Sequence, residues 1–163
     1  MISEKAKKDL EEMLESIQSK YEEYKVRAGK DLEIDPDAHD LDRIVLETPK
    51  IMSRYNDAFS DETLVLKDLY TLKKKVELER WKFWSGKQSD KYYAENGIVH
   101  EKILKTDVDK YLSADEKLIL LNKVINTQKA ICDYLERVIK EIQSRNFHCK
   151  VALEWRRFTS GGM

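Results

Sequence analysis

Apolar residues recur in steps of three and four along most of this chain, which is the period of an amphipathic helix. The first such stretch covers residues 3 to about 28 and is interrupted only at Lys20. Gly29 is expected to end this helix, because glycine commonly follows a helix C-terminus. The apolar stripe consists of Ala6, Leu10, Met13, Ile17 and Tyr24, widened by Leu14 and Tyr21.

A second helical pattern follows an acidic connector at residues 31–40. Asp35 and Pro36 are residue types favoured at an N-cap and at the first helical position. The Thr48-Pro49 step is expected to kink or break the helix, since proline lacks an amide hydrogen and disfavours helical backbone in the residue before it. The pattern therefore predicts either one kinked helix or two shorter helices here.

Ser60 and Asp61 offer a new N-cap, and the apolar stripe beyond them runs as far as Gly86. Residues 88–109 have two interpretations. Asn96-Gly97 favours a tight hairpin turn, but a loop with some local structure is the preferred interpretation. The apolar residues that would flank such a turn are Tyr92, Tyr93, Ile98 and Val99.

The most regular pattern lies in the C-terminal third of the chain. Ser113 and Glu116 have the spacing of a capping box and predict a helix over residues 114–145. Asn146 is expected to end it, before a short helix at residues 151–158. A chain of this size has little left to cover both sides of so long a helix, so its apolar seam is expected to join copies of the chain. The predicted oligomerisation residues are Leu118, Leu121, Ile125, Cys132, Leu135, Ile139 and Ile142.

The composition is typical of a helical protein, and the charge distribution provides two positive segments that could bind a polyanion. Charged residues make up 37% of the chain, with only five Gly and two Pro, whereas a β-sandwich or barrel would need more turn residues. The net charge of −1 conceals an uneven distribution. Residues 31–62 carry ten acidic and three basic residues, a balance of −7, whereas residues 67–91 carry eight basic and four acidic residues, a balance of +4. Residues 137–163, with six basic and two acidic residues, are again at +4.

Residues that would support catalysis, a metal site or membrane insertion are scarce. The two cysteines, Cys132 and Cys149, are too few for a disulfide framework and indicate a reducing, cytoplasmic setting. No stretch resembles a signal peptide or a membrane span. The histidines His39, His100 and His148 lack metal-ligand spacing, and the glycines form no phosphate loop. We therefore expect no catalytic residues, no metal and no cofactor.

The run at residues 80–87, Arg-Trp-Lys-Phe-Trp-Ser-Gly-Lys, has the clearest chemistry and holds two of the three tryptophans. Aromatic faces stack on unpaired bases while cationic groups hold phosphates, so the run favours binding of single-stranded nucleic acid. Alternatively, the rings close a hydrophobic core and the cations form its solvated rim. The predicted DNA-binding residues are Lys73, Lys74, Lys75, Arg80, Lys82, Trp84 and Lys87.

From about residue 31 to its end, the chain resembles the UvsY recombination mediators of T-even-type bacteriophages. Three motifs carry the resemblance in the same order: residues 80–86, the Leu-Ser-Ala-Asp sequence at 112–115, and the heptad helix leading into Ile-Gln-Ser-Arg at 142–145. In the basic pair that the family uses to contact DNA, Arg80 matches the second member and the uncharged Leu78 matches the first. Lys82 and the lysines at 73–75 offer positive charge in its place.

The resemblance implies a non-enzymatic, mainly α protein, with N-terminal helices before a long C-terminal oligomerising helix. It further implies a ring-forming homo-oligomer, a hexamer or heptamer, in the cytoplasm of the infected bacterial host. That ring would bind single-stranded DNA, help displace the phage single-stranded-DNA-binding protein and load a phage RecA-like recombinase. Residues 1–110 would hold the DNA-binding segment at about 67–91, and residues 111–163 would carry oligomerisation. The alternative is a coiled-coil scaffold that does not touch DNA.

Overall fold

This computed structural model describes residues 4–34, 41–97 and 103–161. Within these residues the chain forms five helices and no strand: α1 (Glu4–Leu32), α2 (Leu41–Trp84), α3 (Asp90–Asn96), α4 (Val108–Ser113) and α5 (Glu116–Thr159). The prediction of a mainly α protein with a long C-terminal helix is confirmed. The predicted cap at Asp35 and Pro36, together with His39, Ile98, Val99 and His100, lies outside the described residues.

Along α2 a buried residue recurs at every seventh position. Residues at this spacing lie on nearly the same face of the helix, which is therefore its buried face. Glu62 is the charged member, and it is satisfied in the interior by the Tyr24 hydroxyl, which donates at 2.8 Å, and by an ion pair with Lys20. The heptad residues are Leu41, Thr48, Tyr55, Glu62, Leu69, Val76 and Phe83.

Two compact units divide the chain. The first combines Met1–Ser19 with Leu64–Lys129, and the second combines Lys20–Thr63 with Ala130–Met163. Each unit takes part of α1, α2 and α5, so each has a helix-on-helix core. In the first unit Lys7 pairs with Glu116 at 3.0 Å, and in the second the Tyr21 and Tyr134 rings meet edge-on at 5.7 Å between centres. The division into residues 1–110 and 111–163 concerns DNA binding and assembly, and stays a prediction.

The first helix continues beyond Gly29 to Leu32, so the prediction that Gly29 ends it is wrong. Tertiary contacts hold the last turn of α1. The Tyr55 hydroxyl donates to the Asp31 carboxylate at 2.8 Å, and Arg145 donates to the Asp31 carbonyl oxygen. The second contact satisfies one of the carbonyls that a helix C-terminus leaves without an intrahelical partner.

The second helix runs without interruption through Pro49 and through Ser60-Asp61, so the predicted break and the predicted N-cap are both wrong. Pro49 lies on the exposed face. Thr48 is buried, and its hydroxyl donates to the carbonyl four residues earlier at 2.9 Å, as does that of Ser60. Both are the local hydrogen bonds that such side chains make inside a helix. Burial of one continuous heptad stripe outweighs the local cost of a proline.

The last helix, α5, is continuous from Glu116 to Thr159. Asn146 does not end it, and residues 151–158 extend it instead of forming a separate helix. At its start the N-cap is Asp115 and not Ser113. The Asp115 carboxylate accepts the N–H groups of the second and third helical residues at 3.1 and 3.3 Å.

Residues 88–109, for which a loop is the preferred interpretation, include the short helix α3 and the start of α4. The Ser89 hydroxyl caps α3 by accepting the Tyr92 N–H at 3.3 Å. Tyr92 and Tyr93 are therefore helical and do not form the strand of a hairpin. Both hydroxyls reach back to α2, where that of Tyr93 donates to the Phe83 carbonyl at 2.9 Å.

The apolar seam of α5 lies in the interior of the chain. Six of the seven predicted oligomerisation residues are buried, and Ile139 is half-buried. α1 and α2 are 29 and 44 residues long, long enough to cover the faces of α5 that were expected to need a second copy. A second copy could contact this seam only by displacing helices of the same chain. α5 leaves one large apolar residue exposed near its start, Ile119, and four further along, at Phe147, Val151, Trp155 and Phe158.

Candidate nucleic-acid interface

A Schellman turn closes the C-terminal end of α2. Gly86 has left-handed backbone, with φ at +72°, which residues that carry a Cβ rarely adopt. Its N–H donates to the Phe83 carbonyl at 3.2 Å, and the Lys87 N–H donates to the Lys82 carbonyl at 2.8 Å. The reversal places the Lys87 ammonium 4.5 Å from the centre of the Trp81 ring, a cation–π contact. Gly86 therefore sets the geometry of an aromatic–cation pair.

The outer face of α2 combines this pair with further cations. Lys74, Leu78, Trp81 and Lys82 share the face, because positions three and four apart lie above one another on a helix. Trp81 is 36% exposed and Leu78 is 55% exposed. Lys74, Lys75, Lys82 and Lys87 are exposed as well. The arrangement offers phosphates several ammonium groups and offers bases an aromatic ring.

Arg80 lies on the opposite side of α2 and is only 2% exposed. Its Nε donates to the Asp115 carboxylate at 2.7 Å, its Nη1 donates to the Tyr92 hydroxyl at 3.4 Å, and its guanidinium carbon lies 4.1 Å from the centre of the Phe83 ring. A phosphate could reach this guanidinium only if the ion pair opened. Breaking a buried pair costs roughly 3–5 kcal/mol, because it leaves an uncompensated charge in the interior.

Trp84 belongs to the same buried cluster. Its indole Nε1 donates to the Asp115 carboxylate at 2.9 Å, and its ring packs against those of Phe83 and Tyr111 at 5.0 and 5.2 Å between centres. The side chain is half-buried. These contacts occupy the polar edge of the indole and much of its ring surface, as in an aromatic residue that closes a core.

Asp115 joins the two long helices at this end of the first unit. One carboxylate oxygen caps α5, and the other accepts from Arg80 and Trp84 of α2. Charge-assisted hydrogen bonds of this kind are about twice as strong as neutral ones. The carboxylate therefore fixes the end of α2, and with it the exposed residues on its outer face, against the start of α5.

A second ionic contact, around Glu79, lies beside the first. Lys117 of α5 donates to the Glu79 carboxylate at 2.8 Å, and the Tyr92 hydroxyl of α3 also donates to it. Burial alone would raise the pKa of Glu79, but the hydrogen bonds from Lys117 and Tyr92 outweigh it and hold that pKa below its usual value. Burial and the bond to Glu79 raise the pKa of Tyr92 to about 12.

The predicted DNA-binding residues thus separate into two groups. Four lysines lie on or beside the outer face of α2, whereas Arg80 and Trp84 lie in the cluster beneath it. The remaining residue, Lys73, is half-buried and pairs with Glu77 at 3.7 Å. Direct contact of Arg80 and Trp84 with DNA stays a prediction, and their geometry favours a supporting role.

Trp81 is absent from the predicted set, although the structure exposes it among the cations. The spacing of apolar residues in the sequence already indicated that Trp81 is exposed. Buried residues of α2 recur at Leu69, Val76 and Phe83, so Trp84 falls next to the buried stripe, whereas Trp81 falls two positions before it, on another face. The predicted set contains Trp84 and omits Trp81, whereas this periodicity favours exposure of Trp81.

Two absences hold for the described ranges, 4–34, 41–97 and 103–161. In that part of the chain, no group of three or more His, Cys, Asp and Glu side chains is placed to hold a metal ion. The same residues contain no helix that is both long and apolar enough to cross a membrane.

Residues 27–162 match the model of a protein family described as "Recombination, repair and ssDNA binding protein UvsY". The chain belongs to the UvsY family. The match includes the outer face of α2, the Arg80–Asp115 pair and all of α5, whereas residues 4–26 of α1 precede it. UvsY proteins are thus described by recombination, repair and binding to single-stranded DNA, and not by catalysis.

Solved UvsY structures have the same fold. Two crystal structures of the bacteriophage T4 recombination mediator protein UvsY align with TM-scores of 0.74 and 0.71, at 19% and 18% identity. The alignments cover 86% and 83% of this chain and 97% of each T4 UvsY chain. A search of curated protein sequences found no match. At this level of identity, the likeness to T4 UvsY concerns the fold.

Proposed function

We propose that this protein is a recombination mediator that binds single-stranded DNA as a homo-oligomeric ring. In the cytoplasm of the infected bacterial host, it would help displace the single-stranded-DNA-binding protein and load a RecA-like recombinase. Membership of the UvsY family over residues 27–162 supports a role in recombination and repair. The observation that carries DNA binding is the cationic and aromatic outer face of α2, with Trp81 between exposed lysines.

The exposed lysines of α2 would hold the phosphate backbone. Each neutralised phosphate releases condensed counterions, so the affinity has a steep salt dependence and little dependence on sequence. Lys74, Lys75, Lys82 and Lys87 are the proposed phosphate contacts. Arg80 is proposed as a positioning residue that acts through Asp115, because its guanidinium is buried in an ion pair.

A ring would present several copies of the outer face of α2 to one strand. One α2 face offers only a few contacts, but linked copies raise the effective concentration of the next site, so that a strand wraps the assembly. A strand held in this way is a poorer substrate for its coating protein and a better one for the recombinase. Differential affinity for two states of the DNA is sufficient for such a shift of populations.

Assembly is proposed to use the exposed apolar end of α5. Phe147, Val151, Trp155 and Phe158 follow one another at three- and four-residue spacing, so they form one stripe. They are 46–78% exposed, and side chains of this size are usually covered in a functional assembly. A second copy of the chain is the proposed occupant, in line with the expected role of residues 111–163.

Titration of an oligonucleotide into the full-length protein, at a series of salt concentrations, tests this function. Light scattering would report the number of subunits and tryptophan fluorescence would report contact with bases in the same sample. We expect an oligomer whose affinity falls steeply between low and moderate salt. A protein that ignores oligonucleotides at low salt would instead be the coiled-coil scaffold, and a monomer at working concentration would exclude the ring.

Displacement and loading need their own assay. Strands coated with fluorescently labelled single-stranded-DNA-binding protein should lose label faster in the presence of this protein, and recombinase should then assemble on them. A chain that binds bare DNA but changes neither rate would be a DNA-binding protein without mediator activity.

A further inference from the structure

Beside Trp81 the first compact unit has a concave site of about 430 Å³. Residues of α2, α4 and α5 line it, and all of them lie within the family match. The lining residues are Glu77, Leu78, Trp81, Leu112, Ser113 and Asn122. Neither the phosphate contacts proposed above nor the buried cluster around Asp115 uses this space.

The lining has an apolar and a polar part. Trp81, Leu78 and Leu112 supply an aromatic ring and two aliphatic side chains. Ser113 supplies a hydroxyl oxygen that can accept, because its hydrogen is donated to the Lys110 carbonyl at 2.7 Å. Asn122 supplies an amide that both donates and accepts, and Glu77 a carboxylate that accepts. A flat ring with hydrogen-bonding atoms along its edge fits such a site, because its faces need apolar contact and its edge needs polar partners.

Two cations lie beside Trp81, one of the residues that line this site. The Lys87 ammonium lies 4.5 Å from the centre of the Trp81 ring, and Lys82 follows Trp81 on the exposed surface of α2. A base that enters the concave site carries its sugar and phosphate at the rim. Aromatic stacking combined with nearby phosphate contacts is how proteins hold single strands with little sequence preference.

We propose that this concave site is a nucleobase subsite, in which one unpaired base of single-stranded DNA stacks on the face of Trp81 opposite Lys87. Leu78 and Leu112 contact the rest of the base, while Ser113 and Asn122 bond to its edge. The proposal rests on the single-stranded DNA binding proposed above and adds a contact to bases that the lysines alone do not provide. Exposure of Trp81, at 36%, is then functional.

Two short strands of equal length and charge test the subsite on the full-length protein. One carries normal nucleotides, and the other carries abasic sugar-phosphates that keep the phosphates and lack the bases. Trp81→Ala should weaken binding of the normal strand by roughly 5- to 150-fold, the range measured for one stacked base, and leave binding of the abasic strand unchanged. Trp81→Phe should retain much of the affinity, since it keeps an aromatic face.

Lys82→Ala is the matched control from the next position of the same helix. It should reduce the affinity for both strands to the same extent, because it removes a phosphate contact. If Trp81→Ala does not change the affinity for the normal strand, or reduces the affinity for both strands equally, the subsite is refuted. A reduced affinity of Lys82→Ala for both strands would still support the proposed DNA binding. If the wild-type protein binds neither strand at low salt, the proposed function itself fails. Circular dichroism and light scattering on Trp81→Phe would show that fold and assembly are retained.

Discussion

Arg80 and Trp81 are neighbours in sequence but lie on different sides of α2. Arg80 is 2% exposed and pairs with Asp115, whereas Trp81 is 36% exposed beside Lys87. At the residue scale, the side chains of residues 80–87 therefore divide into an inward and an outward group. The inward residues join α2 to α5, and the outward residues are available to a ligand.

Arg80→Ala should lower the free energy of unfolding by roughly 3–5 kcal/mol, because it leaves the Asp115 carboxylate buried without its cation. Urea denaturation would measure the loss. Lys82→Ala, at an exposed position, should change the same quantity by less than about 0.5 kcal/mol. An Arg80→Ala protein of unchanged stability that has nevertheless lost DNA affinity would show that Arg80 contacts the strand directly.

At the scale of the elements, the end of α2 depends on a few contacts with its neighbours. The Schellman turn at Gly86 needs left-handed backbone, the Asp115 cap starts α5, and Glu79 holds both α3 and α5. These contacts lie within about two turns of α2, so local capping residues and side chains from α3 and α5 together hold this end of the helix.

Gly86→Ala should destabilise the protein by about 1–2 kcal/mol, the cost of a Cβ in left-handed backbone, although nothing lies within 4 Å of the new methyl group. Gly29→Ala is the matched control. Nothing lies within 4 Å of that position either, but it is inside α1, so the change should stabilise by about 0.5–1 kcal/mol. The midpoint of thermal denaturation should fall for Gly86→Ala and rise for Gly29→Ala. Equal shifts of the two midpoints would contradict the Schellman turn at Gly86.

Acid should weaken the junction through Glu79. Its pKa is lowered in the folded chain, so its contribution is present above the unfolded value of about 4.3 and is lost as the pH falls through the folded pKa. Glu79→Gln should therefore be less stable than the wild type at pH 7, and the difference should disappear in acid. Urea denaturation across this pH range checks it, with Glu95→Gln, at an exposed position, expected to match the wild type throughout.

At the scale of the whole molecule, the proposed ring requires a surface that joins copies of the chain. Buried seam residues such as Leu135, at 0% exposure, hold the chain's own helices together, so charged replacements there should unfold it. The exposed stripe near the end of α5 offers a more selective test.

Replacing Val151 and Trp155 by glutamate should give folded monomers, because both side chains are exposed in the single chain. Lost multivalency should reduce the affinity for long strands by roughly 10²- to 10⁴-fold. Sedimentation and oligonucleotide titration would measure the two effects. Leu104→Glu is the control at another exposed apolar residue, 67% exposed, and should change neither. Intact rings in the double variant would contradict the proposed assembly surface.

The sequence by itself determined the class of the fold and indicated the segment that is proposed to bind DNA. Helical periodicity located the stretches that form α1, α2 and α5, because the spacing of apolar residues is a property of the chain alone, but it did not show that α2 and α5 are each one continuous helix. The combination of cations and aromatic rings at residues 80–87 likewise identified the segment with DNA-binding chemistry, and three motifs indicated the family to which the chain belongs.

Only the tertiary structure decided where helices end and which side chains face outward. Local signals at Gly29, Pro49 and Asn146 predicted boundaries that do not exist, because contacts from other helices and the burial of long stripes outweigh preferences worth about 1–3 kcal/mol. The α5 seam became an intrachain core for the same reason, since α1 and α2 were available to cover it. Helical periodicity separates Arg80 from Trp81, but the charge of the buried Arg80 is paired by Asp115, which is 35 residues away in sequence and comes within 2.7 Å of it only in the folded chain.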